Sequence, residues 1–147
     1  MKDIIDILNG NNLSDLIIRY DPFTNLKAYI CIHSTVLGPA IAGIKIFDYK
    51  NEEDAINDAI KLSINRSLRT SISGCDLGGA SIVLWSDYNT VKNEVYFRAL
   101  GRMIESFAGR IIATADLGTD QKDLLAVGRE TDYVVSLPVS FGGSGDT

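Results

Sequence analysis

The sequence predicts an α/β fold, a three-layer sandwich in which a mixed, mostly parallel sheet is flanked by helices. Two observations carry that reading. Three β-branched and aromatic runs, at residues 16–20, 28–32 and 41–47, come early and are separated by the turn signals Asp21-Pro22 and Gly38-Pro39. After Phe47 the apolar residues recur at helical spacing, and helix-like and strand-like segments then alternate to the end. With 147 residues, 46% of them hydrophobic, the chain is long enough for one self-sufficient core and too short for two.

Taken in order, Ile4, Ile5, Ile7 and Leu8 between Lys2 and Asn9 predict a short amphipathic helix, stopped by Asn9-Gly10-Asn11-Asn12. The three early runs follow as neighbouring strands of one sheet. Ala55, Ile56, Ala59, Ile60 and Ile64 then mark a helix capped by Asn51 and running to about Leu68, with Glu52, Glu53 and Asp54 in the turn where the helix dipole favours acids. Residues 70–79, rich in Ser and Gly, read as a loop into a buried strand at 81–85. A second long helix is expected with Val91, Val95, Leu100, Met103, Ile104 and Phe107 on one face, ending at Gly109. A strand at 111–113, a helix at 120–128 and a last strand at 133–135 complete the pattern. The terminal Gly142-Gly143-Ser144-Gly145 has the composition of a flexible linker and fits either a frayed tail or a hinge.

Composition excludes several function classes. Fourteen Lys and Arg against nineteen Asp and Glu leave a net charge of −5, so no basic stripe supplies the counterion release on which nucleic-acid or anionic-membrane binding depends. Cys31 and Cys75 form no C-x-x-C pair, which argues against a disulfide framework or a zinc site, and His33 is the single histidine, so a His-based metal site or a Ser-His-Asp triad would have to be assembled around that one imidazole. No long apolar run or signal peptide is present, so the expected compartment is the cytoplasm.

A few residues could carry chemistry. Gly74-Cys75-Asp76-Leu77-Gly78-Gly79-Ala80-Ser81 joins a helix to a strand, which is neither the order nor the spacing of a dinucleotide or P-loop fingerprint. Arg69 at the end of the first long helix could bind a carboxylate through both guanidinium nitrogens, although a cation answering the helix dipole is the plainer alternative. Asp116, between a strand and a helix, could be a general base, with a helix cap as its plainer alternative. His33 reads as structural, and Lys27, Lys45 and Lys92 as solvated.

Segments spread along the chain then acquire a common meaning. Leu26-Lys27-Ala28, His33, Leu37-Gly38-Pro39-Ala40, Gly43, Glu52-Glu53-Asp54-Ala55, Leu77-Gly78-Gly79, Phe97-Arg98-Ala99-Leu100-Gly101-Arg102, Asp116-Leu117-Gly118-Thr119 and Glu130-Thr131-Asp132-Tyr133-Val134 occur in this order. Together they resemble the N-terminal substrate and dimerisation domain of the amino-acid dehydrogenases acting on leucine, valine, phenylalanine and glutamate, nearest in pattern to the leucine enzymes. The resemblance covers residues 13–146 and assigns all of 1–147 to that domain, with the family's C-terminal Rossmann domain absent from this chain.

It implies NAD-dependent oxidative deamination of a branched-chain or aromatic L-amino acid to a 2-oxo acid, with NAD serving the full-length family and not expected on this chain alone. It also implies a homo-oligomer whose ligands are an amino acid or a 2-oxo acid. Two lysines and an aspartate do the family's chemistry. Arg69 takes the first lysine's position and Asp116 keeps the aspartate, whereas Ser81 replaces the second lysine, which predicts impaired catalysis. Ile41 and Thr114 fall where the substrate's side chain would lie, with Ala42 and Gly43 allowing close backbone approach. A non-catalytic module that binds an amino acid or a partner subunit is the competing expectation.

Overall fold

The computed structural model describes residues 3–135. Its elements run α1 (Ile4–Gly10), β1 (Asp15–Asp21), β2 (Leu26–Ser34), β3 (Ala40–Phe47), α2 (Glu52–Ile72), β4 (Gly78–Trp85), α3 (Glu94–Glu105), β5 (Ile111–Ala115) and α4 (Gln121–Gly128). The five strands form one mixed sheet in the order β1-β2-β4-β3-β5. β1 with β2 and β2 with β4 are antiparallel, β3 with β4 and β3 with β5 are parallel, and a parallel bridge joins Ala113 to Val134.

The three early strands are therefore not all neighbours, because β4 sits between β2 and β3. The cause lies in α2. A strand, a crossover helix and a second strand return in parallel beside the first, and β4 is buried along nearly its whole length, as a central strand must be. β1 alternates toward exposure at Ile18 and Tyr20 and takes the edge. The expected strand at 133–135 contributes only the bridge at Val134.

Strand alternation sorts the side chains into two cores. Leu26, Ala28, Ile30 and Ile32 of β2, Ala40, Ala42 and Ile44 of β3, and Ile82 and Leu84 of β4 face α3 and α4. Tyr29, Cys31 and Val83 face Ala55, Ile56, Ala59 and Ile60 of α2, with Ile7 and Leu8 of α1 at the margin. This is the three-layer arrangement expected. α2 is longer at its C-terminus than the pattern predicted, ending at Ile72, and Asn51 caps it by accepting from the Asp54 amide at 2.9 Å.

α3 begins later than predicted. Asn93 accepts from the Tyr96 amide at 3.1 Å and so starts the helix there. Tyr96, Phe97, Leu100 and Ile104 then fill the buried stripe, leaving Val95 one residue off it at 47% exposure and Val91 outside the helix at 68%. Nor are Lys27 and Lys45 simply solvated. Lys45 Nζ lies 2.7 Å from Asp58 and over the Phe47 ring, and Lys27 lies over Trp85 and 3.6 Å from Asp87. Among the described residues no helix is long and apolar enough to cross a membrane.

The tightest approach of α2 to the sheet is at Gly79, where a Cβ would fall 2.2 Å from the Ser67 backbone nitrogen. Gly79→Ala should therefore push α2 off the sheet and cost about 2–3 kcal/mol, an overpacking penalty. Gly10→Ala, where a Cβ meets nothing within 4 Å, should be neutral or slightly stabilising. Denaturant unfolding of the two variants checks both, and equal stabilities would overturn the assignment of Gly79 as a packing constraint.

Candidate functional site

Strand register builds one small-residue row across the α2 face of the sheet. Cys31 pairs with Ser81, Ser81 with Gly43, and Gly43 with Thr114. α2 packs on β4 and β2 and only lightly on β3, so the β3 and β5 end of this row lies beyond the helix. Gly43 keeps that end open, since a Cβ there would come 2.7 Å from Asp116 Oδ2 and 3.2 Å from Arg66 Nη2.

The cavity that results has a volume of about 110 Å3 and is lined by Gly43, Arg66, Arg69, Ser81 and Asp116, with Leu62, Asn65 and Ala80 completing its wall. Asp116 follows β5 in a turn strapped to β3. The Ile46 amide donates to the Leu117 carbonyl at 2.9 Å, and the Thr119 hydroxyl donates to the Ile44 carbonyl at 3.0 Å. The helix-cap alternative for Asp116 does not hold, because Asp120 caps α4 in a reciprocal box with Asp123. Asp116 instead accepts from the Leu117 amide through Oδ1 at 2.7 Å. Its other oxygen is the one over Gly43.

Ser81 is 1% exposed, and its hydroxyl donates to the Ala59 carbonyl of α2 at 2.6 Å. That bond ties β4 to the helix and occupies the proton. Arg69 lies in the last turn of α2, as expected. Arg66, one helical turn earlier on the same face, was not singled out in the sequence, although its spacing of three from Arg69 was the available signal. Burial lowers the Arg66 pKa, the like charge of Arg69 adds to this, and the Asp116 carboxylate opposes it.

Ile41, Ala42 and Thr114 do not line the cavity. Ile41 and Thr114 share the α2 face with Gly43 and are half-buried. Ala42 points its methyl into the opposite core, so only its backbone borders the site. His33 also lies outside it, with Nδ1 hydrogen-bonded to Ser67 Oγ at 2.7 Å. A larger groove of about 570 Å3 runs between the starts of α3 and α4. Its acids are engaged in helix caps or, at Glu94, with Arg129 at 3.1 Å.

Fold and cavity together define an α/β domain that presents a charged pocket on the open part of one sheet face. The family described as Glu/Leu/Phe/Val dehydrogenase, dimerisation domain, matches residues 17–133, and the chain belongs to it. It is 39% identical over 143 residues to leucine dehydrogenase of Thermoactinomyces intermedius, covering 97% of this chain and 39% of that protein. It is likewise 39% identical over 127 residues to phenylalanine dehydrogenase of Caldalkalibacillus thermarum, covering 86% of this chain and 34% of that protein. Among solved structures, L-tryptophan dehydrogenase from Nostoc punctiforme superposes with a TM-score of 0.86 at 29% identity, over 90% of this chain and 39% of that one. The chain thus spans well under half the length of these relatives.

If Gly43 is the floor of this cavity, Gly43→Ala should cost about 1–2 kcal/mol, because the Asp116 carboxylate and the Arg66 guanidinium can swing aside while Asp116 Cβ, 3.1 Å from the added methyl, must give by a few tenths of an ångström. The Asp116 and Leu117 amide resonances should move. A loss of several kcal/mol, or unmoved resonances, would show that Gly43 serves packing elsewhere.

Proposed function

We propose that this chain is the substrate half of an amino-acid dehydrogenase, and that the cavity over Gly43 receives an L-amino acid and its 2-oxo acid. The observation that carries the reading is the convergence of Arg69, Asp116 and Gly43, far apart in sequence, on one cavity. Arg69 has the fork to hold a carboxylate through two parallel hydrogen bonds. Asp116 keeps Oδ2 over Gly43 and is placed to exchange a proton with the reacting nitrogen or with water. The leucine and phenylalanine dehydrogenases among the relatives favour a branched-chain or aromatic side chain.

The hydride acceptor in this reading is NAD, and the described residues do not fit it. The glycines that might have cradled a pyrophosphate are spent on packing. A Cβ at Gly78 would fall 1.8 Å from the Ser34 carbonyl oxygen, and one at Gly79 would meet α2. Hydride transfer therefore belongs to a nucleotide-binding domain outside these residues. The reading includes a homo-oligomer, which the family's description as a dimerisation domain supports.

Ser81 favours a second reading, a binding module with little chemistry. With its hydroxyl donated to Ala59, it adds neither charge nor a free donor where the substrate's oxygen would become negative. The absence of such a donor is worth about 10²–10³ in rate.

Two measurements test these readings. Titration of the labelled domain with L-leucine and with 4-methyl-2-oxopentanoate should shift the Gly43 and Asp116 amides, and Arg69→Met should weaken binding at least about tenfold, the cost of one charge-assisted pair. Unchanged affinity in Arg69→Met would remove Arg69 from the site. When the domain is joined to the nucleotide-binding domain of a leucine dehydrogenase, Ser81→Lys should raise kcat at least about tenfold, equivalent to roughly 1.4 kcal/mol. Ser81→Met should not. Equal activities in folded Lys and Met variants would favour the binding module.

A further inference from the structure

The sequence holds seven arginines, and their partners divide them sharply. Arg98 and Arg102 pair with Glu130, Arg110 with Asp15, and Arg129 with Glu94, while Arg19 bonds Ser106 and lies over Phe107. Among the described residues neither the Arg66 nor the Arg69 side chain has a hydrogen bond or an ion pair. These two are the arginines that line the cavity. Arg66 is also half-buried there, a position in which an unpaired guanidinium is costly unless something else balances it.

The balance is uneven as it stands. The cavity holds two guanidinium groups and one carboxylate, Asp116. Arg66 Nη2 and Asp116 Oδ2 lie 3.2 Å and 2.7 Å from the point where a Gly43 Cβ would stand, so these opposite charges face each other across the site without forming an ion pair, and Arg69 is exposed at its rim. An amino acid brings a carboxylate and an ammonium. It adds no net charge, and its ammonium must compete with Arg66 for Asp116. A 2-oxo acid brings one negative charge, no ammonium, and a carbonyl oxygen that accepts a hydrogen bond from a guanidinium.

We propose that Arg66 makes this cavity selective for 2-oxo monocarboxylic acids over the corresponding amino acids. The inference rests on the cavity being the substrate site and adds which chemical form it holds more tightly. The carboxylate lies on Arg69, the 2-oxo oxygen accepts from Arg66, and Asp116 stays beside Arg66 as its counter-charge. Because the guanidinium stays charged across the neutral range, the preference persists there and weakens with added salt.

Calorimetric and resonance titrations of the chain at low salt and neutral pH test this, with 4-methyl-2-oxopentanoate, L-leucine and L-glutamate as the probes. The oxo acid should bind at least about tenfold more tightly than L-leucine, the scale of one unbalanced charge near a protein surface. Arg66→Met should cut that ratio to below about threefold by weakening the oxo acid, and Arg66→Lys, which keeps the charge, should retain most of it. Far-UV circular dichroism verifies that α2 is intact in both variants. L-leucine binding as tightly as the oxo acid overturns the selectivity while leaving the cavity as the site. L-glutamate binding more tightly than the oxo acid overturns it too, by showing that Arg66 reads a second carboxylate. No binding of any probe, with the Gly43 and Asp116 amides unmoved, overturns the substrate-site reading as well.

Discussion

The close approach of α2 to β4 is the constraint on which this molecule turns. At Gly79 the helix backbone stands where a side chain would otherwise be, and the Ser81 hydroxyl two residues on is bonded to the helix carbonyl at Ala59. Ala59 and Ser63 are buried small residues on the facing side of α2. A helix held this near the middle of a sheet cannot also cover its far side, because the layer spacing and helix width are fixed by side-chain size. The uncovered part of β3 and β5 is the cavity.

That geometry puts Arg66 and Arg69 along the free flank of α2, turned toward the exposed strand ends, and brings the turn after β5 up to meet them. The turn is fastened by backbone and hydroxyl bonds to β3, so the Asp116 carboxylate is presented from a braced position. Sites on the open side of α/β sheets usually form beyond the carboxyl ends of parallel strands, and Asp116 follows this rule at the end of β5.

Much of the fold was legible because its signals are local. Asn51 and Asp120 announce helix starts by their side chains, and the runs at β1, β2 and β3 announce strands by composition. Strand order was not legible, since the insertion of β4 between β2 and β3 depends on a crossover and on pairing between distant segments. Val91 and Val95 misled because they mimic a helical apolar face that Tyr96 and Phe97 in fact supply. Of the site, Arg69 and Asp116 were candidates from their places at a helix end and a strand end, and the ordered resemblance to a family gave them roles and added Gly43 and Ser81. Arg66 was missed because its meaning comes from what lies across from it, and the bond that occupies Ser81 is tertiary.

The two faces of the sheet also divide the labour of the chain. The α3 and α4 side holds the larger core, sealed by Ile30, Ile82, Leu100 and Leu124, and none of these touches the cavity. The residues around the charged pocket contribute little to that core. Substitution of Arg66 or Arg69 can therefore rewrite the pocket's charges while the α3 and α4 core is untouched. A lineage built this way is free to drift between catalyst and receptor without passing through an unfolded ancestor.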